Sequence, residues 1–533
     1  MRVKLIILVI VTLIMACKHT KNQQDLSHTE FVYLKGKVFK HKGQDFFPIM
    51  LNYVVSFRKI GNEYLLSPIK EYENPDIFES NTAESIEIQN KAHLQLIKEM
   101  GFNTIRLIFD RVSIENEKYF YNADSKKLSI SEDYDIILNS LEGYLKIVEK
   151  LDLKVMLLIK APVENDELED FTEKLLSKFS NNPTIFSYDF FNEPLYFDNM
   201  DKSTDKRFRE KKEARKIVIG WKKMMDNYAP NQLFTIGFSE PIEVFEWDPE
   251  ILPVDFVSFH TYNPLRAANE IYWYSKYINK PWMIGETALP ADNDSIPYEY
   301  QQHYMREIYQ RIINCNGAGI GWWEFQEIPN THFEAGFSGI LNHQGITTTK
   351  DGKYQIIGTV KPAVKEIANF KNYRKKDCNC MNNYYNMLGY SNIKLKGIII
   401  DEETQKPVEG AVIRGWNENW AVGVNTFSNK NGEFTLLSND FCIYFEISAP
   451  GMSRKALKLK LDYFPTYNHN IKPQNLPQKD LEYHTISYLS FLKNKNLIKD
   501  TTSYQSFIFN FDTKYFNKSL YQGSLGIISL RKL

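Results

Sequence analysis

The chain has 533 residues, which is more than one ordinary hydrophobic core accommodates, so we expect at least two domains. Its composition, 43% hydrophobic and 25% charged with 14% aromatic residues, is that of a globular protein. The formal net charge is −1 and no long cluster of Lys and Arg occurs, which argues against nucleic acid as a partner because phosphate binding needs concentrated positive charge.

The first 17 residues have the pattern of an export signal. Two basic residues precede an apolar run over 5–15, which is too short to span a bilayer comfortably. The run ends in the letters IMAC, which resemble a bacterial lipobox, and this implies a lipid on Cys17 and an anchor in a bacterial membrane, on its periplasmic side or at the cell surface. A plain signal peptide with a chance cysteine is the alternative. Residues 18–29 would then be a polar tether.

Residues 30–372 contain eight short apolar runs separated by longer helix-like segments. Several runs are apolar throughout, as expected of strands that are covered on both faces. This alternation predicts an α/β domain with the (β/α)₈ (TIM) barrel fold. A doubly wound open sheet is the alternative, although the sequence contains no Gly-rich phosphate loop to support it. The runs are 46–54, 103–109, 154–160, 185–191, 233–238, 255–262, 281–289 and 319–325.

The rest of the chain has a different pattern. Residues 373–392 are polar and Asn-rich, which predicts a linker. Over 393–472 apolar and polar residues alternate with a period of two, which predicts a small all-β sandwich. Asn431-Gly432 between two strand-like runs predicts a hairpin. The tail 473–533 is predicted to pack on the sandwich.

Four cysteines follow the signal segment. They are too few for a disulfide framework in a chain of this length. Cys378 and Cys380 are separated by one residue, but no second close pair and no nearby histidine suggest a metal site. We therefore interpret the four as ordinary loop thiols: Cys315, Cys378, Cys380 and Cys442.

The last residues of the predicted barrel strands are candidates for an active site, because catalytic side chains of this fold lie at the carboxyl ends of the strands. Carboxyl, amide, guanidinium, imidazole and aromatic groups together suit the binding and cleavage of sugars. The candidates are Arg106, Asn192, Glu193, His260, Tyr262, Glu286 and Trp323.

The stretch SYDFFNEP gives one candidate a defined place. Pro194 lacks an N–H and should end the fourth strand, and it should also bias Glu193 toward an extended backbone. Glu286 ends the seventh strand, so the two glutamates should face each other across the barrel mouth. Hydrolysis of a glycoside with retention needs two carboxyls at roughly 5 Å, one as acid/base and one as nucleophile.

The barrel segment resembles glycoside hydrolase family 5, a family of (β/α)₈ retaining glycosidases. The matching pieces are GFNTIRL, NNPTIFSYDFFNEP, SFHTY, WMIGE and GWWEF, which occur in the family's order between residues 30 and 370. The resemblance implies that Glu193 is the general acid/base and Glu286 the nucleophile, with no metal or organic cofactor.

The same resemblance implies roles for the other candidates. Arg106 would keep the nucleophile ionised, and Asn192 would bind a sugar hydroxyl beside the cleaved bond. His260 and Tyr262 would line the site, and Trp323 would form its floor. One feature departs from the family, because many members carry a histidine at the third strand, where this chain has Lys160.

The predicted sandwich resembles the carboxypeptidase regulatory-like (transthyretin-like) domain over about 60 residues. The pattern G-x-I-x-D…KPVEGAVI…TFSNKNGEFTL…APG carries this resemblance, which implies an accessory module.

The expected function is therefore cleavage of a β-linked oligosaccharide or polysaccharide by a retaining glycoside hydrolase. A surface glycan-binding lipoprotein on a barrel that has lost catalysis is the alternative, and a scaffold that acts through its sandwich is a third reading. The sequence does not distinguish glucan, mannan and xylan, nor internal from terminal cleavage, nor does it predict an oligomeric state.

Overall fold

The structure is a computed structural model, and it describes most of the chain after residue 29. The predicted signal segment, Cys17 and the tether lie outside the described residues. The described residues are 30–61, 63–71, 78–113, 134–159, 163, 166–197, 209–264, 266–328, 336–342, 346–348, 354–356, 358–380, 393–417, 423–438, 442–458 and 521–533.

Strands make up most of the described secondary structure. They are β1 (Tyr33–Lys35), β2 (Val38–His41), β3 (Gln44–Asp45), β4 (Ile49–Ile60), β5 (Glu63–Pro68), β6 (Thr104–Ser113), β7 (Lys154–Leu158), β8 (Ile185–Asn192), β9 (Leu233–Phe238), β10 (Val257–His260), β11 (Trp282–Glu286), β12 (Ile320–Trp322), β13 (Ile346–Thr348), β14 (Tyr354–Ile356), β15 (Ile393–Asp401), β16 (Val412–Asn417), β17 (Gly423–Phe427), β18 (Glu433–Ser438), β19 (Cys442–Ser448), β20 (Lys455–Lys458) and β21 (Tyr521–Leu530).

Helices separate most of the strands in the first two thirds of the chain. The α-helices are α1 (Ala83–Glu99), α2 (Tyr134–Lys150), α3 (Asp166–Phe179), α4 (Pro194–Phe197), α5 (Lys211–Tyr228), α6 (Ala267–Tyr277), α7 (Tyr298–Asn314) and α8 (Lys365–Asn369). The 3₁₀ helices are Pro241–Phe245, Pro362–Val364 and Phe370–Asn372.

Eight parallel strands close into a barrel. The strand order is β12-β11-β10-β9-β8-β7-β6-β4, and β12 pairs with β4 to complete the ring. β5 pairs with β4 in the antiparallel direction and adds a ninth strand beside the barrel. The predicted (β/α)₈ barrel is confirmed, and each of the eight apolar runs overlaps one of its strands.

Close approach of strands near the mouth depends on glycine. A Cβ at Gly321 would lie 2.1 Å from the carbonyl oxygen of Gly285, so a larger residue on β12 would push it away from β11. On the outer side of β12 the indole of Trp322 is buried against Tyr304 of α7. Its N–H donates to the Ser338 carbonyl at 3.1 Å. Trp322 is therefore packed between the barrel and a helix, away from the mouth.

The second region is all-β and forms two sheets. One sheet has the order β18-β15-β21 and the other β17-β16-β19-β20. Apolar residues of both sheets, such as Ile399 and Ile413, are fully buried in the core. The predicted all-β sandwich after the barrel is confirmed. Within the tail, β21 pairs in parallel with β15.

The predicted Asn431-Gly432 hairpin is wrong. β17 and β18 flank this turn, but they belong to different sheets. Gly432 has a φ of 73°, and its N–H donates to the Asn429 carbonyl at 2.8 Å. The turn chemistry was identified correctly, but the turn carries the chain across the sandwich because the pairing partner of β18 is β15, from earlier in the chain.

The interpretation of all four later cysteines as loop thiols is also wrong. Cys315, just after α7, and Cys378, in the predicted linker, form a disulfide across a sequence separation of 63 residues. Periodicity and spacing could not show this pair, because the linker runs back along the barrel. The described part of that segment lies against α6, where the Cys378 sulfur is 3.4 Å from the Ser275 hydroxyl.

A buried ion pair joins the barrel to the sandwich. Lys211, at the start of α5, donates to Asp248 at 2.8 Å and to the carbonyl oxygens of Ala449 and Met452. The Gly451 N–H donates to the same Asp248 carboxylate at 2.9 Å. The sandwich is therefore attached to the barrel at the start of α5 and at the segment after β9. It is also attached along α6, where Trp273 donates to the Gly410 carbonyl at 2.9 Å.

Among the helices that the structure describes, none has the length and apolar character needed to cross a bilayer.

Candidate active site

Arg106 lies at the centre of the barrel mouth and is fully buried. Its guanidinium donates to Asp189 at 2.9 Å through Nε, and its Nη2 lies 2.8 Å from the same carboxylate oxygen. It also donates to the amide oxygens of Asn52 at 3.1 Å and Asn192 at 2.9 Å, and to the Glu286 carboxylate. A guanidinium presents its five donors in a fixed planar fork, so these contacts fix the four partners relative to one another.

Glu286 ends β11, and both oxygens of its carboxyl accept hydrogen bonds from neighbouring side chains. One carboxylate oxygen accepts from Arg106, and the other accepts from the hydroxyl of Tyr262. The Nδ1 atom of His260 lies 3.6 Å from that second oxygen. Burial raises the pKa of Tyr262 well above its usual range, so this hydroxyl stays a hydrogen-bond donor. An anion with two fixed donors is oriented for attack rather than for proton transfer.

Glu193 follows directly after β8, and its backbone differs from the expectation. The strand ends at Asn192, and α4 begins at Pro194, as a strand-ending proline predicts. However, Glu193 has a φ of 45°, so the expected extended backbone is wrong. The reason is a sharp turn between strand and helix, fixed by the Glu193 N–H, which donates to the Gly237 carbonyl at 2.7 Å. A non-glycine residue in this region costs about 1–3 kcal/mol and is most often retained at functional sites.

The surroundings of Glu193 favour its protonated form. Burial raises the pKa of its carboxyl to about 7, the positive charge of Arg106 opposes this change, and the negative charge of Glu240 adds to it. One carboxyl oxygen of Glu193 is hydrogen-bonded to His260 Nδ1 at 2.8 Å. The side chain keeps 17% exposure, so the carboxyl can still reach a ligand in the mouth.

The two glutamates and His260 form one compact group. A ligand atom from each of the three residues lies within 4.8 Å of the other two. The two carboxyls have opposite electrostatic surroundings, since Glu286 touches the guanidinium and Glu193 does not. Pairs of carboxyls whose surroundings separate their pKa values are the usual basis for assigning one acid and one base.

His260 lies between the carboxyls as a neutral imidazole. Burial lowers its pKa to about 4. A Cβ at Gly237 would lie 2.9 Å from Nε2, and one at Gly285 would lie 3.0 Å from it, so the ring fits only because both neighbouring strands carry glycine there. The geometry therefore fixes the ring with Nδ1 toward the glutamates.

Trp323 follows β12 and is half-buried. It packs against apolar side chains at the mouth end of the barrel, including Val54, Ile108 and Leu158. The structure thus brings all seven candidates, Arg106, Asn192, Glu193, His260, Tyr262, Glu286 and Trp323, to the same end of the barrel. Their roles in binding or catalysis remain predictions. Lys160 at the third strand lies outside the described residues.

Four residues of this site were missed from the sequence. Asp189 and Asn52 are fully buried within β8 and β4, and both hold Arg106. Their signal was visible, because a charged or amide residue inside an apolar strand requires a buried partner. Glu240 and Glu243 follow β9 in a segment without a recognisable pattern. Glu243 accepts from the Leu195 N–H at 3.1 Å and so holds the turn that carries Glu193.

The group of Glu193, His260 and Glu286 is also a chemically possible cation site, since carboxylates and imidazole are ligands of divalent metals. Glu286 is already engaged by Arg106 and Tyr262. A cation would therefore have to displace a guanidinium that four other oxygen contacts hold in place.

Solved structures with a similar fold share little sequence with this chain. A glycoside hydrolase family 5 mannosidase from Rhizomucor miehei has 13% identity and a TM-score of 0.42 over 64% of this chain and 97% of its own. An exo-beta-1,4-mannosidase from Opitutaceae bacterium strain TAV5 has 14% identity and a TM-score of 0.44, covering 64% and 61%. An endocellulase from Pyrococcus horikoshii has 12% identity and a TM-score of 0.39, covering 63% and 98%.

No protein-family model matches the chain, and no curated protein sequence matches it. The likeness to the solved structures is one of fold.

Proposed function

We propose that this protein is a retaining glycoside hydrolase that cleaves β-linked glycan through a covalent glycosyl-enzyme. The observation that carries the proposal is the pair of glutamates at the barrel mouth. One carboxyl oxygen of each lies within 4.8 Å of the other, burial raises the pKa of Glu193 to about 7, and Glu286 accepts hydrogen bonds from Arg106 and Tyr262. A separation of about 5–5.5 Å is typical of retention, whereas inversion needs about 6.5–9.5 Å.

In the first step Glu193 donates its proton to the departing glycosidic oxygen, and Glu286 attacks the anomeric carbon. A neutral His260 that donates from Nδ1 to one oxygen of Glu193 would leave the acidic proton on the other oxygen, toward the mouth. The bond to the leaving sugar breaks as the bond to Glu286 forms.

In the second step Glu193, now a carboxylate, takes a proton from water as the water attacks the anomeric carbon. The glycosyl bond to Glu286 breaks and the sugar leaves with retained configuration. Arg106 and Tyr262 stabilise the carboxylate that is released. Asn192, fixed by Arg106, would bind a sugar hydroxyl, and Trp323 would lie under the sugar at the cleaved bond.

The test is a screen for reducing ends released from neutral β-glycans, including glucan, mannan and xylan. The soluble chain beginning after Cys17 is compared with Glu193→Gln and Glu286→Gln, and with Glu84→Gln as an exposed control. We expect one class of glycan to be cleaved by the parent and the control, and activity to fall by at least about 10³-fold in both site variants.

Other outcomes decide against the proposal. If the parent and both site variants bind a glycan equally and none cleaves it, the barrel is a glycan-binding module. If EDTA abolishes cleavage and a divalent cation restores it, the same three residues act as a metal site instead.

We further propose that the protein is exported and lipid-anchored through Cys17, and that the sandwich is an accessory module of the carboxypeptidase regulatory-like kind. The lipobox-like ending supports the anchor, and the attachment of the sandwich to the barrel supports the accessory module. Expression of the full chain in a bacterium with a radiolabelled fatty acid tests the anchor. Incorporation that persists in Cys17→Ser would contradict it.

A further inference from the structure

A groove of about 850 Å³ lies between the barrel and the sandwich. The barrel side is formed by the segment after β9 and by α6, and the sandwich side by β17 and by exposed residues of β15, β18 and β21. The groove is large enough for several sugar rings, because ligand sites usually measure about 300–1,000 Å³.

Three half-buried aromatic rings line the groove from both sides. Tyr272 and Tyr277 come from α6, and Phe427 comes from β17. The rings of Tyr272 and Phe427 are nearly parallel, with an interplanar angle of 16° and centroids 6.5 Å apart. Tyr277 meets Phe427 at 68°. The exposed parts of such half-buried rings offer apolar area to the C–H groups of a sugar without a large loss of conformational entropy.

The charges of the groove favour a neutral polyhydroxylated ligand. Its lining contains four acidic residues, Glu240, Glu270, Glu409 and Glu433, and two basic residues, Arg266 and Lys396. Arg266 is paired with both Glu240 and Glu270. Lys276, next to the groove, is paired with Glu409. These ion pairs balance most of the charge, and a nearly balanced lining suits a neutral ligand better than a polyanion. Carboxylates accept hydrogen bonds from hydroxyls, and the amide of Asn425 can both donate and accept, so the lining suits sugar hydroxyls.

One side chain connects the groove to the acid/base. Glu240 lines the groove and accepts from the Tyr196 hydroxyl at 3.0 Å. The Tyr196 N–H in turn donates to the Glu193 carbonyl at 2.9 Å. An acid that protonates the departing oxygen lies on the side of the leaving group, so a chain that extends beyond the cleaved bond on that side runs toward Glu240.

We propose that the groove binds the leaving-group part of a neutral β-glycan chain, with the sandwich as one of its walls. This inference rests on the proposed function. It gives the sandwich a direct contact with substrate, so that longer chains gain binding that short substrates cannot.

The test compares chain lengths in the mature protein. Binding of cellohexaose, mannohexaose and xylohexaose to Glu286→Gln is measured by calorimetry, before and after adding Phe427→Ala or Asn425→Ala. The same groove variants are then made in the enzyme with Glu286 intact. Their kcat/KM is measured for the hexaose that binds and for the 4-nitrophenyl glycoside of its monosaccharide. Val38→Ala, which truncates an exposed apolar residue outside the groove, is the matched control.

We expect each groove variant to weaken hexaose binding by about tenfold, and to lower kcat/KM for the hexaose at least about tenfold more than for the aryl glycoside. Equal losses on both substrates, or no loss on either, would overturn the proposal. Asn425→Ala keeps the test decisive if Phe427→Ala loosens the aromatic cluster, which a lowered melting temperature would reveal.

The two proposals fail in different ways. If the parent cleaves no glycan, the proposed hydrolase is wrong, yet weaker hexaose binding in the groove variants still supports a glycan site. If the parent cleaves the hexaose and the groove variants match Val38→Ala, the hydrolase stands and the groove does not bind substrate.

Discussion

The pH dependence of cleavage follows from the protonation of Glu193. With its pKa raised to about 7 by burial, the carboxyl is protonated through the acidic and neutral range. About half of the molecules carry the proton at pH 7, about a tenth at pH 8 and about a hundredth at pH 9. If Glu193 is the general acid, kcat/KM should fall about tenfold for each pH unit above 7.

The assay is a pair of aryl glycosides of the sugar that the enzyme accepts. Phenol is a poor leaving group and needs protonation, whereas 2,4-dinitrophenolate leaves without it. We expect the alkaline fall in kcat/KM with the phenyl glycoside and a flat profile with the dinitrophenyl glycoside. Glu193→Gln should remove the fall with the phenyl glycoside and leave the dinitrophenyl profile flat, because the side-chain amide has no carboxyl proton to lose.

Other titrating groups of the site do not produce this pattern. The pKa of His260 is lowered to about 4 by burial, and that of Tyr262 is raised well above its usual range by burial. Glu240→Gln should move the alkaline fall to lower pH, because the charge of Glu240 contributes to the raised pKa of Glu193. An alkaline fall that is the same for both glycosides, or that persists in Glu193→Gln, would refute the assignment.

Two further predictions concern stability and the support of the site. Cys315→Ser should lower the free energy of unfolding by about 4 kcal/mol, because the disulfide closes a loop over a separation of 63 residues. Urea unfolding measures this change, with Cys380→Ser as the control. An unchanged urea midpoint in Cys315→Ser would contradict the prediction. Asp189→Asn should cost about 3–5 kcal/mol by the same measurement, because it removes one member of a fully buried ion pair with Arg106. A loss below 1 kcal/mol would show that Asp189 is not needed to hold Arg106.

The barrel and the two glutamates could be predicted because their signals are local. Each barrel strand is an apolar run of the right length, and Pro194 marks the end of β8 within two residues of the last paired position. In a (β/α)₈ barrel the carboxyl ends of all eight strands lie at the same mouth, so the fold places the residues at those ends together. Residues at those ends, such as Glu193 and Glu286, could be named without knowledge of any contact.

What could not be predicted depends on contacts between distant parts of the chain. The pairing of Cys315 with Cys378 depends on the path of the linker, and the turn at Gly432 crosses between sheets because β18 pairs with β15, from earlier in the chain. The backbone of Glu193 was mistaken because a local bias of the residue before proline was overcome by the turn into α4 and the hydrogen bond to Gly237.

The different states of the two glutamates follow from how the guanidinium is shared. Arg106 contacts two carboxylates, Asp189 and Glu286, and its charge still opposes the raised pKa of Glu193. A third ionised carboxyl nearby would be opposed by both burial and repulsion, and Glu193 is the one without a direct contact to Arg106. Burial and the negative charge of Glu240 therefore keep Glu193 protonated against the opposing charge of Arg106, while Asp189 holds the guanidinium in place.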